Sequence, residues 1–475
     1  MNHRMWVLVF LVVGVYACPA ATYYVATNGN DAFTGLNYWT NAVATISNGV
    51  AKATAANDLV LVSNGVYLLK SQVALTNGIT VRSYRNGLTD PNNTVVNGNY
   101  PDYTNRCFYL SHTGAVLDGF TVTNGWAGAG GGIVVSNGGL VTNCIIVGNI
   151  ATNGSFSGGG GLWIKYGPAG VYNCIIANNL STNGNGGGGI FGNNMRGIIK
   201  DCQIIGNRST NGSGGGFYLY YSTCTVDRCT IISNTSASGG AVYIDHGEPI
   251  VQNSTIAYNR NLTTSGNGGG GISATGGGST GLVQILNCQV THNISAYLGG
   301  GGCFFYATIV RNCLFAYNSA SSYQGGGARI HNTWSYSNVV FDGCTVVSNN
   351  ASTCGGFVMN NDVSNFTIVN SIIYSNSPVD SYTADQSNNI SYCCTPVSFT
   401  NPASGNITNN PRFVDFANGN FRLDKNSACV NSGANQSWMT GTVDLDGHSR
   451  IDRFFGVVDM GCYEYLPDGT IFSFR

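Results

Sequence analysis

The stretch Asn143-Cys144-Ile145-Ile146-Val147-Gly148-Asn149 decides the fold, because it returns eight more times in drifted form. The cysteine slot is taken in turn by Cys144, Cys174, Cys202, Cys229, Ser254, Cys288, Cys313, Cys344 and Ser371. Successive slots lie 25 to 34 residues apart. Two residues after each slot stands Ile, Val or Phe, and five after it always Asn, from Asn149 to Asn376. The residue between the slot and its second neighbour varies freely. That is period-two alternation, which marks a half-buried strand. Between copies lies a glycine cluster followed by a second alternating stretch. There Phe217 and Leu219 alternate with Tyr218 and Tyr220, and Ala328 and Ile330 with Arg329 and His331.

One such unit cannot bury its own apolar face, but a stack of units makes a continuous core. Short strands and turns at this period suit a parallel β-helix with coils about 4.8 Å apart. A leucine-rich horseshoe lacks its helix pattern here, and a propeller needs longer blades. The recurring Asn fits a left-handed turn position and an amide ladder from coil to coil. The cysteines read as a column of small packing residues, since Ser254 and Ser371 share the slot. Cys429 and Cys462 are a candidate disulfide, and no cysteine spacing fits zinc.

Charged residues make up only 9% of the chain and formal net charge is −1, so no basic footprint marks a nucleic-acid partner. Met1 to Ala21 reads as a secretory signal, with Trp6 to Val15 too short for a membrane anchor. A lipid anchor on Cys18 is the alternative. Residues 22–115 are expected to hold an N-terminal cap, with a short helix over Ala42 to Ala53, and the first coils. Residues 116–390 carry the regular repeats, and 391–475 an irregular C-terminal capping segment. The expected localisation is secreted or periplasmic, with no membrane span; oligomeric state is open.

The copies resemble the right-handed parallel β-helix proteins of the pectin-lyase-like superfamily. Phe315-Ala316-Tyr317-Asn318 and Gly239-Gly240-Ala241-Val242 are similar to the repeats of polymorphic outer-membrane proteins. Tyr23-Tyr24-Val25-Ala26-Thr27-Asn28-Gly29-Asn30-Asp31 and Val458-Asp459-Met460-Gly461-Cys462-Tyr463 resemble the two ends of exported bacterial β-helix proteins. The resemblance implies an all-β, single-stranded right-handed solenoid. It implies no single activity, since the superfamily includes lyases, hydrolases and adhesins. Arg329-Ile330-His331 only loosely echoes the Arg-Ile-Lys motif of polygalacturonase-like enzymes.

Function then falls to the outward positions. The expected ligand-binding row is Trp163, Phe191, Tyr218, Tyr220, Phe304 and Tyr306, rings on which sugars could stack. The same count places Val242 outward. The competing reading is that these rings ladder on one another beneath a loop. Candidate acid–base residues are Arg329, His331, Asp245 and His246, with the two pairs three coils apart. Lys200 with Asp227, and Arg311 with Asp342, read as surface ion pairs. No metal site is expected; calcium at Asp444-Leu445-Asp446-Gly447 lacks a full ligand set. The first functional reading is a polysaccharide or cell-surface glycan binder without a firm catalytic motif. The alternative is a polysaccharide lyase or glycoside hydrolase acting on an acidic polysaccharide, and a third reading is a purely structural coat.

Overall fold

The computed structural model describes residues 20–84, 93–152, 158–182, 184–264, 268–275, 281–305, 307–331, 338–359, 366–382, 389–396, 404–451 and 455–467. Residues Met1 to Pro19, with Cys18, and Tyr306 lie outside them. The strands form a parallel solenoid of about 10 turns. One coil shows the cross-section: Phe217–Ser222 and Thr225–Asp227 are two arms of a large sheet. Thr230–Ile232 then joins a 12-stranded sheet and Thr235–Ser238 a 9-stranded one. Each segment pairs in register with its counterpart one coil on, as Thr230 with Thr255 and Ile231 with Ile256. The slot residues and their second neighbours point inward into one core with Ile146, Ile176, Ile204 and Ile231.

The Asn ladder is present and fully bonded. Asn207 Nδ2 donates to Asn234 Oδ1 at 3.0 Å, and Asn234 Nδ2 to Asn259 Oδ1 at 3.0 Å. Each backbone N–H from Asn149 to Asn349 donates to the same oxygen one coil on, at 2.9 Å for Asn234, and the ladder ends where Asn376 N and Nδ2 donate to Asp380 Oδ1 at 2.7 and 2.8 Å. Each Nδ2 also reaches a carbonyl one coil back, as Asn234 to Ile204 at 2.9 Å. Complete pairing is what lets Asn234 sit at 0% exposure. The turn geometry differs from expectation. At the two ends of the slot strand the left-handed residues are those just before the slot (Asn143 φ 52°, Arg228 φ 50°) and those just before the ladder Asn (Asn178 φ 53°, Tyr258 φ 57°). The ladder Asn is kept for its amide, and its neighbours make the corners.

The glycine clusters pack coil on coil. A Cβ on Gly160 would stand 2.4 Å from the Gly188 carbonyl oxygen, so a side chain there would force the coils apart.

All 15 described cysteines are free and buried, which rules out the Cys429–Cys462 disulfide. Cys462 packs with Leu314 and Val347, and Cys429 with Ile372 and Cys394, in separate clusters. Serine and cysteine do the same work in the slot: Cys229 N donates to Ser254 Oγ at 3.0 Å, and Cys174 N to Cys202 Sγ at 3.5 Å. Cys202→Ser should therefore change the unfolding free energy, read by urea denaturation, by less than about 1 kcal/mol. A loss of several kcal/mol would show that the sulfur column has a role beyond packing. Cys393 continues the column below Ser371, with Cys394 bonded into the next position.

The N-terminal helix is Ile46–Lys52, shorter than expected. Its N-cap Thr45 accepts from Asn48 N, and Ile46 and Val43 close the first coil's core. The C-terminal segment lies along the outward face of the 12-stranded sheet, where an end cap was expected. Phe421, Cys462 and Tyr463 cover Leu314, Ala316 and Val347, which explains why those outward positions are apolar. Cys462 N donates to Thr345 Oγ1 at 3.1 Å, and Ala434 N to Asn370 Oδ1 at 2.7 Å. Inside the segment Arg450 pairs with Glu464 at 3.0 Å, with both side chains buried. No helix among the described residues is long and apolar enough to cross a membrane.

Candidate functional site

The first outward row on the large sheet runs Val134, Trp163, Phe191, Tyr218, Tyr243, Ser273, Cys303, Arg329 and Val358. Two expected members are corrected. Val242 pairs with Phe217 and points into the core. Phe304 also lies in the core, at 0% exposure. Gly302 takes the inward place that Ile272 holds one coil earlier, and a Cβ there would stand 2.6 Å from Phe304 Cζ. The ring fills the space the glycine leaves, so counting from the end of the glycine cluster slips by one.

The row itself is closed. Phe191 and Tyr218 are buried, with ring centroids 5.0 Å apart, and Tyr218 meets Tyr243 edge-on at 5.0 Å. Trp163 is half-buried, and Lys165 Nζ stands 4.5 Å from its ring centroid, a cation–π contact. The rings ladder on each other and leave no open platform at Phe191 or Tyr218. Arg329 is buried over the Tyr323 ring at 5.8 Å, and His331 lies edge-on to Phe305 at 4.7 Å.

The open surface is one corner further along each coil. Tyr166 (φ 55°), Asn194 (φ 50°), Tyr221 (φ 46°) and His246 (φ 61°) occupy left-handed positions between the two arms of the large sheet. Pairing of Lys165 with Asn193, Asn193 with Tyr220, and Tyr220 with Asp245 places these four residues on successive coils. The left-handed turn breaks the in–out alternation, so the side chains swing outward. Tyr166 is 56% exposed and Tyr221 44%. Tyr221 stacks on His246 with centroids 4.4 Å apart and planes 15° apart. Tyr220 meets Tyr221 edge-on at 4.7 Å.

Beside this corner stands a hydrogen-bonded chain. The Tyr218 hydroxyl donates to Asp245 Oδ2 at 2.9 Å, and His246 Nδ1 lies 2.8 Å from Asp245 Oδ1. Burial, with the Asp245 carboxylate next to it, pushes the Tyr218 phenol far above its usual range, so it remains a donor. Asp245 is thereby held between two partners and fixes the imidazole plane of His246. Arg329 and His331 do not join this cluster. Asp245 pairs with Thr275, and His331 lies two coils beyond, about 14 Å from Asp245 at ~4.8 Å per coil.

The other charged candidates are structural. Lys200 and Asp227 pair at 3.8 Å, as expected. Asp342 instead accepts from the Trp438 indole N–H and from Asn370, while Arg311 lies 5.1 Å from the Trp438 ring centroid. Asp444, Asp446 and His448 come close enough to hold a cation. Their carboxylates are already engaged: Asp446 pairs with Arg422, and Asp444 accepts from the backbone N–H groups of Asp446, His448 and Glu464. The donor set does not fit calcium, which asks for six to eight oxygens.

A family model for the right handed beta helix region matches residues 106–282. The fold is a right-handed β-helix. Solved structures similar to this β-helix include pectate lyase Pel9A, at 17% identity over 93% of this chain and 96% of that one, with a TM-score of 0.44. A rhamnogalacturonan lyase is similar at 15% identity over 81% and 87% of the two chains, with a TM-score of 0.31. At these identities the likeness is one of fold. No curated protein matches the β-helix chain in sequence.

Proposed function

We propose that this protein is an exported β-helix that binds a polysaccharide or cell-surface glycan at the Tyr166–Tyr221–His246 corner. The observation that carries this reading is the set of exposed rings at left-handed positions. A non-glycine residue in that conformation costs about 1–2 kcal/mol, and the stack of Tyr221 on His246 offsets part of it. Tyr166 and Tyr221 stand two coils apart with only Asn194 between, a gap of about 9.6 Å at ~4.8 Å per coil. A flat sugar ring making van der Waals contact on both sides takes up about 7–8 Å. Lys165, next to Tyr166, places a cation at one edge of the gap for hydroxyl or carboxylate groups.

On a glycan array, the protein should retain at least one polysaccharide, and Tyr221→Ala should weaken that binding about tenfold, or ~1.4 kcal/mol. Retention of nothing, or a Tyr221→Ala variant that binds as well as the parent, would sink the proposal. A second reading, cleavage of an acidic polysaccharide, draws on the Asp245–His246 pair as an oriented acid–base group. It requires release of unsaturated or reducing ends from polygalacturonate that disappears in His246→Ala.

A further inference from the structure

The geometry points to a second, separate saccharide site: the cleft between the last coils and the C-terminal hairpin, suited to a short neutral oligosaccharide. The hairpin pairs Phe413–Asp415 with Asn420–Leu423. Between it and Tyr374 lies a cavity of about 850 Å³, within the ~300–1,000 Å³ range of small-ligand sites. Phe413 and Phe416 line it with near-parallel rings, 6.2 Å between centroids and 11° between planes. Phe416 is 41% exposed, so an apolar ring face is open to a ligand.

The polar lining is of the kind that reads hydroxyl pairs. Arg412 Nε lies 3.8 Å from Asp424 Oδ1, and that oxygen also accepts from the backbone and side-chain nitrogens of Asn426, at 2.9 and 3.0 Å. These bonds from Asn426 hold the Asp424 carboxyl below its usual range, so it stays an acceptor. Asp424 Oδ2 and the Arg412 Nη atoms make no hydrogen bond to a described residue, and both side chains are well exposed. A donor and an acceptor thus stand side by side next to an aromatic face. Vicinal sugar hydroxyls, each able to donate and accept, match that pair. The two charges cancel, so nothing in the cleft favours a carboxylated sugar over a neutral one.

The cleft is built before any ligand arrives. Phe421 of the hairpin packs on Tyr317 at 5.7 Å, at the end of a stack in which His292 lies between Tyr258 and Tyr317 at 4.7 and 4.9 Å. Phe413 and Phe416 in turn rest on Phe421 at 5.4 and 6.0 Å. The aromatic face is therefore rigidly held, which lowers the ordering cost of binding.

Calorimetric titration of the full chain with cellohexaose, xylohexaose, maltohexaose and hexagalacturonate tests this. At least one neutral probe should bind, with affinity lowered about tenfold or more in both Phe416→Ala and Asp424→Asn, and changed less than about twofold in Tyr221→Ala. The Tyr221→Ala arm separates this cleft from the corner on the large sheet. Asp424→Asn keeps the hairpin turn, so it reads the cleft even if Phe416→Ala loosens the hairpin. No binding of any neutral probe, binding of hexagalacturonate alone, or affinity unmoved by Phe416→Ala and Asp424→Asn would overturn it.

Discussion

Replacing Asn234 with leucine is expected to lower stability by about 3–5 kcal/mol, more than any single cysteine-slot change. The amide is at 0% exposure and serves four bonds. Its Oδ1 accepts the Asn207 N–H at 2.9 Å and the Asn207 Nδ2 at 3.0 Å. Its Nδ2 donates to Ile204 O and Asn259 Oδ1 at 2.9 and 3.0 Å. Leucine leaves the Asn207 N–H buried without a partner and strips the Ile204 carbonyl and the Asn207 and Asn259 amides of one bond each, at about 1–3 kcal/mol for the orphaned group. Leucine is also broader than the amide column, which adds overpacking. Because each coil touches only its neighbours, the damage should centre on the coils around Asn234. Hydrogen exchange should show lost protection there first, ahead of Asn149 and Asn376. An unchanged urea midpoint would mean the ladder is incidental to stability.

Arg450→Met should cost about 3–5 kcal/mol, but from the C-terminal segment and not from the coils. The Arg450 guanidinium is fully buried; it meets Glu464 at 3.0 Å and donates to Gly461 O at 2.8 Å. Burial pushes the Glu464 carboxyl up to about 9, while Arg450 opposes that shift. Without Arg450 the carboxyl rises further and is forced to fold protonated. A carboxyl whose folded pKa is raised contributes stability below its unfolded pKa and loses it as pH climbs toward the folded value. The variant should therefore be partly rescued near pH 4 and lose stability steadily as pH rises toward 9 and beyond. Limited proteolysis reads this: release of the segment after residue 404 with resistant coils is expected, faster at pH 8 than at pH 5. A variant as resistant as the parent at both would remove the pair from the account.

The coils were readable because their physics is local and repeated. A residue such as Ile146 or Ile231 announces its direction by alternation, and nine copies average out drift. The Asn ladder was readable for the same reason, although its left-handed corners belong to neighbours such as Arg228 and Tyr258. What failed was register at the glycine clusters. Gly302 stands in an inward position and hides the fact that Phe304 is the next one. The closed aromatic row was also out of reach, because whether Phe191 is open depends on Tyr218 one coil on. The exposed corner left a faint signal: Tyr166 precedes Gly167 and His246 precedes Gly247, an aromatic just before a glycine turn. The sideways path of the C-terminal segment left none, since its anchors join Asn312 to Val443 and Asp342 to Trp438 across long stretches of chain.

Oxidative footprinting with and without saturating glycan tests the binding corner most directly, because it reports side-chain exposure ring by ring. Using a polysaccharide retained on the array and not by Tyr221→Ala protein, bound ligand should protect Tyr166, Tyr220, Tyr221 and His246, and leave the exposed Tyr258 unchanged. Full occupancy with Tyr166 and Tyr221 still oxidised at their free rates would contradict the assignment of function to this corner.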